Sequence, residues 1–317
     1  MTLYILRRIA AAIPVLIGVS LIVFISLQLI PGDIARALLG PMASQDTVQR
    51  YRESLGLNQP VPIQYLTWLW HVLHGDLGRS FTENIPTTAL LAAKLQNTLI
   101  LVTASLLLAI PLGVLAGIVA ATHKFSWSDR LGMGTTLVLG NMPTFVVGLG
   151  LIALFAVQIP LFPPLGMYDI LGSGGIADLL RHLILPAVTT AIPPAAIIAK
   201  MVRGSMLEVL GQDYVRAARA NGISMRTVNY RYALRNAMPP IITISGLQVG
   251  FLLGGAVFTE YIFAWPGIGL QLQKAILARD ISVVQGAVLI IAAWFMLVNL
   301  VVDVINRMLD PRLRSPR

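Results

Sequence analysis

The chain has 317 residues, 56 % of them hydrophobic and only 12 % charged, with a formal net charge of +9 and no cysteine. Soluble domains carry roughly twice that share of charge, so the composition excludes an ordinary soluble protein and points to a lipid bilayer. The lack of cysteine excludes a disulfide framework and a thiolate metal site.

Asp, Glu, Lys, Arg and His are all absent from six stretches: 9–31, 95–122, 131–168, 183–199, 237–259 and 281–302. A helix needs about 20 apolar residues to cross the hydrocarbon core, so each stretch predicts one crossing. Arg7 and Arg8 precede the first as they would a signal peptide. Its apolar run is too long for that and no small-residue cleavage site follows, so a retained membrane helix is expected. The long segment 32–94 contains Tyr65, Leu66, Trp68, Leu69, Trp70, Val72 and Leu73. That density predicts a helix over 63–73, either in a small folded subdomain or lying at the membrane interface. Pro160, Pro163 and Pro164 are expected to end the third helix early, and Pro186, Pro193 and Pro194 to kink or tilt the fourth.

The segment 200–236 is the most informative. Asp213 is expected to cap a short helix over 214–221, with Gly222 in the left-handed position that ends it. Ser224 then caps a further helix running toward Pro239 and Pro240. Ala217 and Ala218 sit together between Arg216 and Arg219. Small side chains let another surface approach closely while arginines meet carboxylates; an amphipathic helix on anionic lipid would have the same composition.

Charge sets the orientation. The termini, the second loop and the fourth loop carry fifteen basic and five acidic residues, and the other loops eight and nine. By the positive-inside rule both termini are cytoplasmic, and the basic excess reflects topology, not a nucleic-acid footprint. The expected architecture is all-α and polytopic, with six transmembrane helices. It comprises a first transmembrane helix (1–31), a small helical periplasmic subdomain (32–94), a five-helix core (95–306) with the projecting cytoplasmic helix around 206–235, and a basic tail (307–317).

Gly246, Gly250 and Gly254, and likewise Gly113 and Gly117, recur every four residues, a spacing that lets helix backbones pack closely in lipid. No phosphate-cradling Gly-x-x-x-x-Gly-Lys-Ser/Thr run exists, nor Gly-x-Ser-x-Gly, nor His-Glu-x-x-His, so no enzyme chemistry is expected. His71, His74, His123 and His182 are scattered outside any zinc-ligand pattern, and His71 with His74 reads as a polar surface pair. No metal site is expected. The spans lack ionisable groups, which argues against a proton-coupled carrier. Among their neutral polar residues, Asn141, Thr144 and Gln248 are the candidates to line a water-filled path, though hydrogen bonding between helices suits any one of them as well.

Arg216-Ala217-Ala218, three residues, then Gly222 resembles the Glu-Ala-Ala-x-x-x-Gly loop of bacterial ABC importer permeases. Here Arg216 replaces the family Glu and Leu234-Arg235 a later Leu-Pro. Asp213 through Gly222 is similar to the peptide-importer branch. So are Arg7-Arg8 with Ile13-Pro14-Val15, Pro31-Gly32-Asp33, Leu55-Gly56-Leu57-Asn58-Gln59-Pro60, Gly75-Asp76-Leu77-Gly78-Arg79-Ser80, Leu234-Arg235-Asn236-Ala237 and Phe263-Ala264-Trp265-Pro266-Gly267-Ile268-Gly269. The chain resembles the first of the two permeases of dipeptide, oligopeptide and nickel importers. The resemblance implies that Asp213, Tyr214, Arg216, Ala217, Ala218, Arg219 and Gly222 form a coupling helix that docks on an ATPase. It implies a second homologous permease, two ATP-binding subunits holding ATP and Mg, an extracytoplasmic binding protein, and a place in the bacterial inner membrane. Peptides are the expected cargo, with nickel complexes, glutathione, opines or oligosaccharides as alternatives. A secondary carrier or channel working alone, or an assembly scaffold, are the competing classes.

Overall fold

With no water in the hydrocarbon core to satisfy backbone N–H and C=O groups, a chain this apolar must bond them within each segment. The computed structural model does so with helices. It describes residues 2–29, 36, 42, 44–54, 56, 58–169, 172 and 174–309. Residues 31–33, Leu55, Leu57 and the tail beyond 309, which carry several of the sequence expectations, lie outside the described residues. Among the described residues the only extended pairing is an isolated antiparallel bridge between Arg79 and Pro86.

In chain order the helices are α1 (Thr2–Gln28), α2 (Gln45–Ser54), α3 (Val61–Leu73), α4 (Thr87–Thr122), α5 (Trp127–Asn141) and α6 (Thr144–Ile152), the last continued as a π-helical turn (Ala153–Gln158). Then come α7 (Ile176–Leu210), α8 (Asp213–Ala220) and α9 (Met225–Thr227), which passes through a π-helical stretch (Val228–Leu234) into α10 (Arg235–Ile262). The chain closes with α11 (Ile268–Leu277) and α12 (Ile281–Leu309). Among the described residues, five of the helical runs are long and apolar enough to cross a membrane, and α5 with α6 make a sixth if the bent pair counts as one span.

That pair departs from the expectation of a single third helix. Its two arms meet at 104°. Pro143 sits at the break with ψ 131, an extended conformation that stops α5 and caps α6. The bend comes before Pro160, Pro163 and Pro164, and the helical run still ends at Gln158, just ahead of those prolines, as expected. In the fourth span α7 runs for 35 residues with Pro186, Pro193 and Pro194 inside it. Within α7, Thr190 Oγ1 donates to the Pro186 carbonyl four residues back at 2.9 Å. At about 1.5 Å per residue, α7 is roughly 50 Å long, longer than the hydrocarbon core is thick. The helix expected to run from Ser224 toward Pro239 and Pro240 continues through them, as Met225–Ile262 is one helical run.

The chain divides into two units, residues 1–97 with 267–296, and residues 98–266 with 297–317. In the first, α3 sits on α1: Phe24 packs against Tyr65 and Trp68 at 5.4 and 5.9 Å, and Ser20 Oγ is 2.8 Å from the Tyr65 hydroxyl. Leu66, Trp70 and Leu73 on the other face of α3 are exposed. Leu90, Leu91, Ile268, Ala275, Val283, Val284 and Ala287 form this unit's core. One carboxylate organises the loop over it. Asp280, 1 % exposed, accepts from Ser80 Oγ at 2.7 Å, Thr82 Oγ1 at 3.0 Å, Thr82 N at 3.1 Å and Val283 N at 3.4 Å. It thereby caps α12 and pins residues 80–82 in one contact.

The second unit is built where α4, α7 and α10 cross. Glycine permits the approach: a Cβ on Gly113 would stand 2.7 Å from the Ala195 carbonyl, and one on Gly117 2.6 Å from that of Ala199. Ile118, Ala121, Ile198, Val202, Met206, Ala233, Ala237 and Ile241 fill the crossing. Nearer the other end of the unit, buried Thr98 donates to the fully buried Glu260 at 2.6 Å.

Candidate functional site

The projecting helix α8 is short and stiff for local reasons. Gln212, extended at φ −74 and ψ 151, occupies the N-cap position without a side-chain bond. Asp213, expected to be the cap, is instead the first helical residue. A cap residue must lie outside the helical region of φ/ψ, and Asp213 is already inside it, where its carboxylate favours the helix N-terminus through the dipole. At the other end Ile223 N donates to Ala218 O at 3.2 Å and Gly222 N to Arg219 O at 3.0 Å. This pair of bonds is a Schellman ending, and it requires the left-handed Gly222, found at φ +76. Ser224 then caps α9, accepting from Thr227 N.

Position on the helix decides what each residue can meet. Val215 and Ala218, three apart, share one face and are buried against the chain's own body. Ala217, Arg219, Tyr214 and Arg216 face outward. The two alanines expected to act together thus separate, Ala218 seating the helix and Ala217 remaining open. Tyr214 adds a tether, its hydroxyl accepting from Asn236 Nδ2 at 3.1 Å. Arg216 folds back along the first turn, donating to the Gly211 carbonyl at 3.1 Å and lying 3.5 Å from Asp213.

Beneath α8 lies a contact that sequence spacing does not show. Arg203, near the end of α7 that leads into α8, donates Nε to Asp129 Oδ1 at 2.7 Å and Nη2 to Oδ2 at 2.8 Å. The Asp129 side chain is 5 % exposed and also accepts from Phe125 N at 3.0 Å. This two-pronged ion pair ties the start of α5 to the α7 end that carries α8. Its members lie 74 positions apart. In the sequence they count only as two of many loop charges.

The expected path residues fall in two places. Asn141 and Thr144 flank the 104° bend, Asn141 exposed and donating to Leu137 O at 2.7 Å. Gln248 is buried in α10. Of the glycine stripe in that helix, Gly246 lies so close to Val302 that any Cβ would collide with it, Gly250 is buried, and Gly254 faces open space. On the described residues the stripe is therefore not one continuous packing seam.

Comparison with known proteins gives this arrangement its context. Residues 113–315 match the family described as binding-protein-dependent transport system inner membrane component, and residues 1–102 match its N-terminal counterpart. A protein of Brucella abortus (strain 2308) named for a peptide transport system permease is 41 % identical over 314 residues, covering 99 % of both chains. The glutathione transport system permease protein GsiC of Salmonella typhimurium is 38 % identical over 311 residues, covering 98 % of both. Among solved structures, an inward-facing conformation of the MetNI methionine ABC transporter superimposes with a TM-score of 0.58 at 17 % identity, over 70 % of this chain and 96 % of that one. That likeness establishes the shared helical fold. The chain belongs to the binding-protein-dependent transport system inner membrane component family, the multi-pass permeases of ABC importers.

Proposed function

We propose that this chain is a non-catalytic permease subunit of an importer for di- or oligopeptides in the bacterial inner membrane, with both termini cytoplasmic. It forms the translocation path with a second, homologous permease. Two partner subunits hold ATP and Mg and hydrolyse the nucleotide, and an extracytoplasmic binding protein delivers substrate. The observation that carries this reading is α8, a helix seated by Val215 and Ala218, closed by Gly222 and presenting Tyr214, Arg216, Ala217 and Arg219 outward. A rigid helix with one small residue at the centre of its open face suits a groove in another protein better than a lipid surface, which favours bulky apolar anchors. The names of the Brucella and Salmonella relatives support peptide cargo. Transport then runs by alternating access. Closure of the ATPase dimer moves α8, and α7 carries the motion into the membrane, with Arg203 and Asp129 moving α5 along with it.

Substitution at the open position tests this. Ala217→Trp abolishes peptide uptake by the reconstituted importer while membrane insertion and melting temperature stay unchanged. Normal uptake with normal ATPase stimulation in that variant overturns the assignment of α8. Affinity isolation from the native membrane, followed by mass spectrometry, is expected to bring down a second permease and P-loop ATPases; a homo-oligomer retaining transport without an ATPase would point to a carrier.

A further inference from the structure

Far from α8, at the N-terminal end of the same helix α7, three ionisable side chains meet. His182 is 3 % exposed. Its Nδ1 faces the Asp178 carbonyl at 3.0 Å and the Asp178 carboxylate at 3.1 Å. Both partners are acceptors facing Nδ1, which leaves Nε2 as the ring's other ligand atom. Nε2 stands 3.6 Å from Asp169 Oδ1, too long for a hydrogen bond. Two ligands each about 2.1 Å from a tetrahedral divalent ion stand about 3.4 Å apart, which is close to this spacing.

The surroundings hold this geometry in place. Asp178 Oδ2 accepts from Asp169 N at 3.0 Å, so the residue that orients the imidazole also orients the loop bearing the facing carboxylate. The Gly172 N–H donates to Asp169 O at 3.0 Å. A Cβ there would come within 2.9 Å of Asp169 Cβ and 3.2 Å of Asp178 Oδ2, so a larger residue would push the two carboxylates apart. An open cavity lined by Pro163, Pro164, Leu165 and Tyr168 leads to His182 and Asp169. All three ligand-type side chains keep their candidate atoms within 4.8 Å of one another.

We propose that His182 Nε2 and Asp169 bind a divalent transition-metal ion of the zinc class, with Asp178 as the outer carboxylate that fixes the ring and raises its basicity. Imidazole with carboxylate selects zinc, nickel or cobalt over the oxygen-loving magnesium and calcium. Two protein ligands leave the remaining positions to water or to a donor group on an incoming solute, so the ion is exchangeable. Sequence spacing conceals the site because Asp169 lies thirteen positions from His182, across a turn, and only the fold brings it back. The inference stands apart from the transport reading, since it concerns binding alone.

The test is titration of the full-length chain in nanodiscs with Zn²⁺ alone, read by equilibrium dialysis. Wild type is expected to bind saturably with one ion per chain at micromolar concentration, undisturbed by millimolar Mg²⁺. Asp169→Asn, at an exposed side chain whose loss leaves the fold intact, weakens binding at least tenfold. Asp178→Asn weakens it by about 10- to 100-fold. Absence of saturable binding overturns the proposal. Binding of equal strength in wild type and Asp169→Asn also overturns it, because the zinc then sits on other side chains.

Discussion

Two buried aspartates hold this protein together, and they do it by opposite means. Asp280, in the first unit, is saturated by two hydroxyls and two backbone N–H groups. Asp129, in the second, takes one backbone N–H and a guanidinium. Neutral donors fixed by a turn and a helix N-terminus move only if the backbone moves, so the Asp280 node is static. The Asp129 ion pair instead rests on one long side chain, about a quarter exposed at Arg203, whose rotation needs no change in the backbone of either helix. The second arrangement fits the transmitting role proposed for the α8 end, and the first fits a loop fixed in one shape.

The largest expected effect tests the static node. Asp280→Ala strips four donors of their acceptor in a buried place and is expected to cost about 4 kcal/mol, at roughly 1 kcal/mol per donor left unpaired. Chemical denaturation in detergent micelles would register it, and a loss under 1 kcal/mol would mean that water replaces the carboxylate there. Next comes the ion pair. Arg203→Ala leaves Asp129 buried without its cation and is expected to cost about 2–3 kcal/mol, less than for a fully buried pair because Arg203 is partly solvated. The exchanged double variant Asp129→Arg with Arg203→Asp should recover part of that loss, and no recovery would assign the cost to packing instead.

On α8 the contrast between neighbouring alanines sharpens the same distinction between seat and surface. Ala218→Trp overfills the face against the body and is expected to destabilise by about 1–3 kcal/mol, whereas Ala217→Trp leaves the melting temperature alone. Equal thermal shifts for the two would place both residues on one face and undo the assignment of roles. The smallest effect belongs to Gly222→Ala, where φ +76 is strained for any residue with a Cβ. A loss of about 1 kcal/mol is expected, together with weaker ATPase coupling if the helix ending frays.

Much of this was legible beforehand because it rests on local rules. Absence of charge marks the spans, since ionised groups are costly in hydrocarbon. Gly222 and Ser224 announce their turn and cap because those conformations depend on a few adjacent residues. The Asp213 cap was misplaced by one residue, as often happens where two polar residues, Gln212 and Asp213, compete for the same corner. The break at Pro143 is not marked by any charge or run of prolines, so the third stretch reads as a single helix. Whether a proline bends a helix depends on what its neighbours offer the freed carbonyl, which no window of sequence reports.

The amino-acid sequence by itself determined the membrane environment, the approximate spans and the projecting capped helix, because these follow from composition and from interactions within a few residues. Only the tertiary structure decided which of two adjacent alanines is open, which glycines meet a neighbour, and which charges pair. Asp129 with Arg203, Ser80 with Asp280, Thr98 with Glu260 and Asp169 with His182 are joined across 74, 200, 162 and 13 positions. The energy of such pairs lies in desolvation and distance, quantities that exist only once the helices have packed.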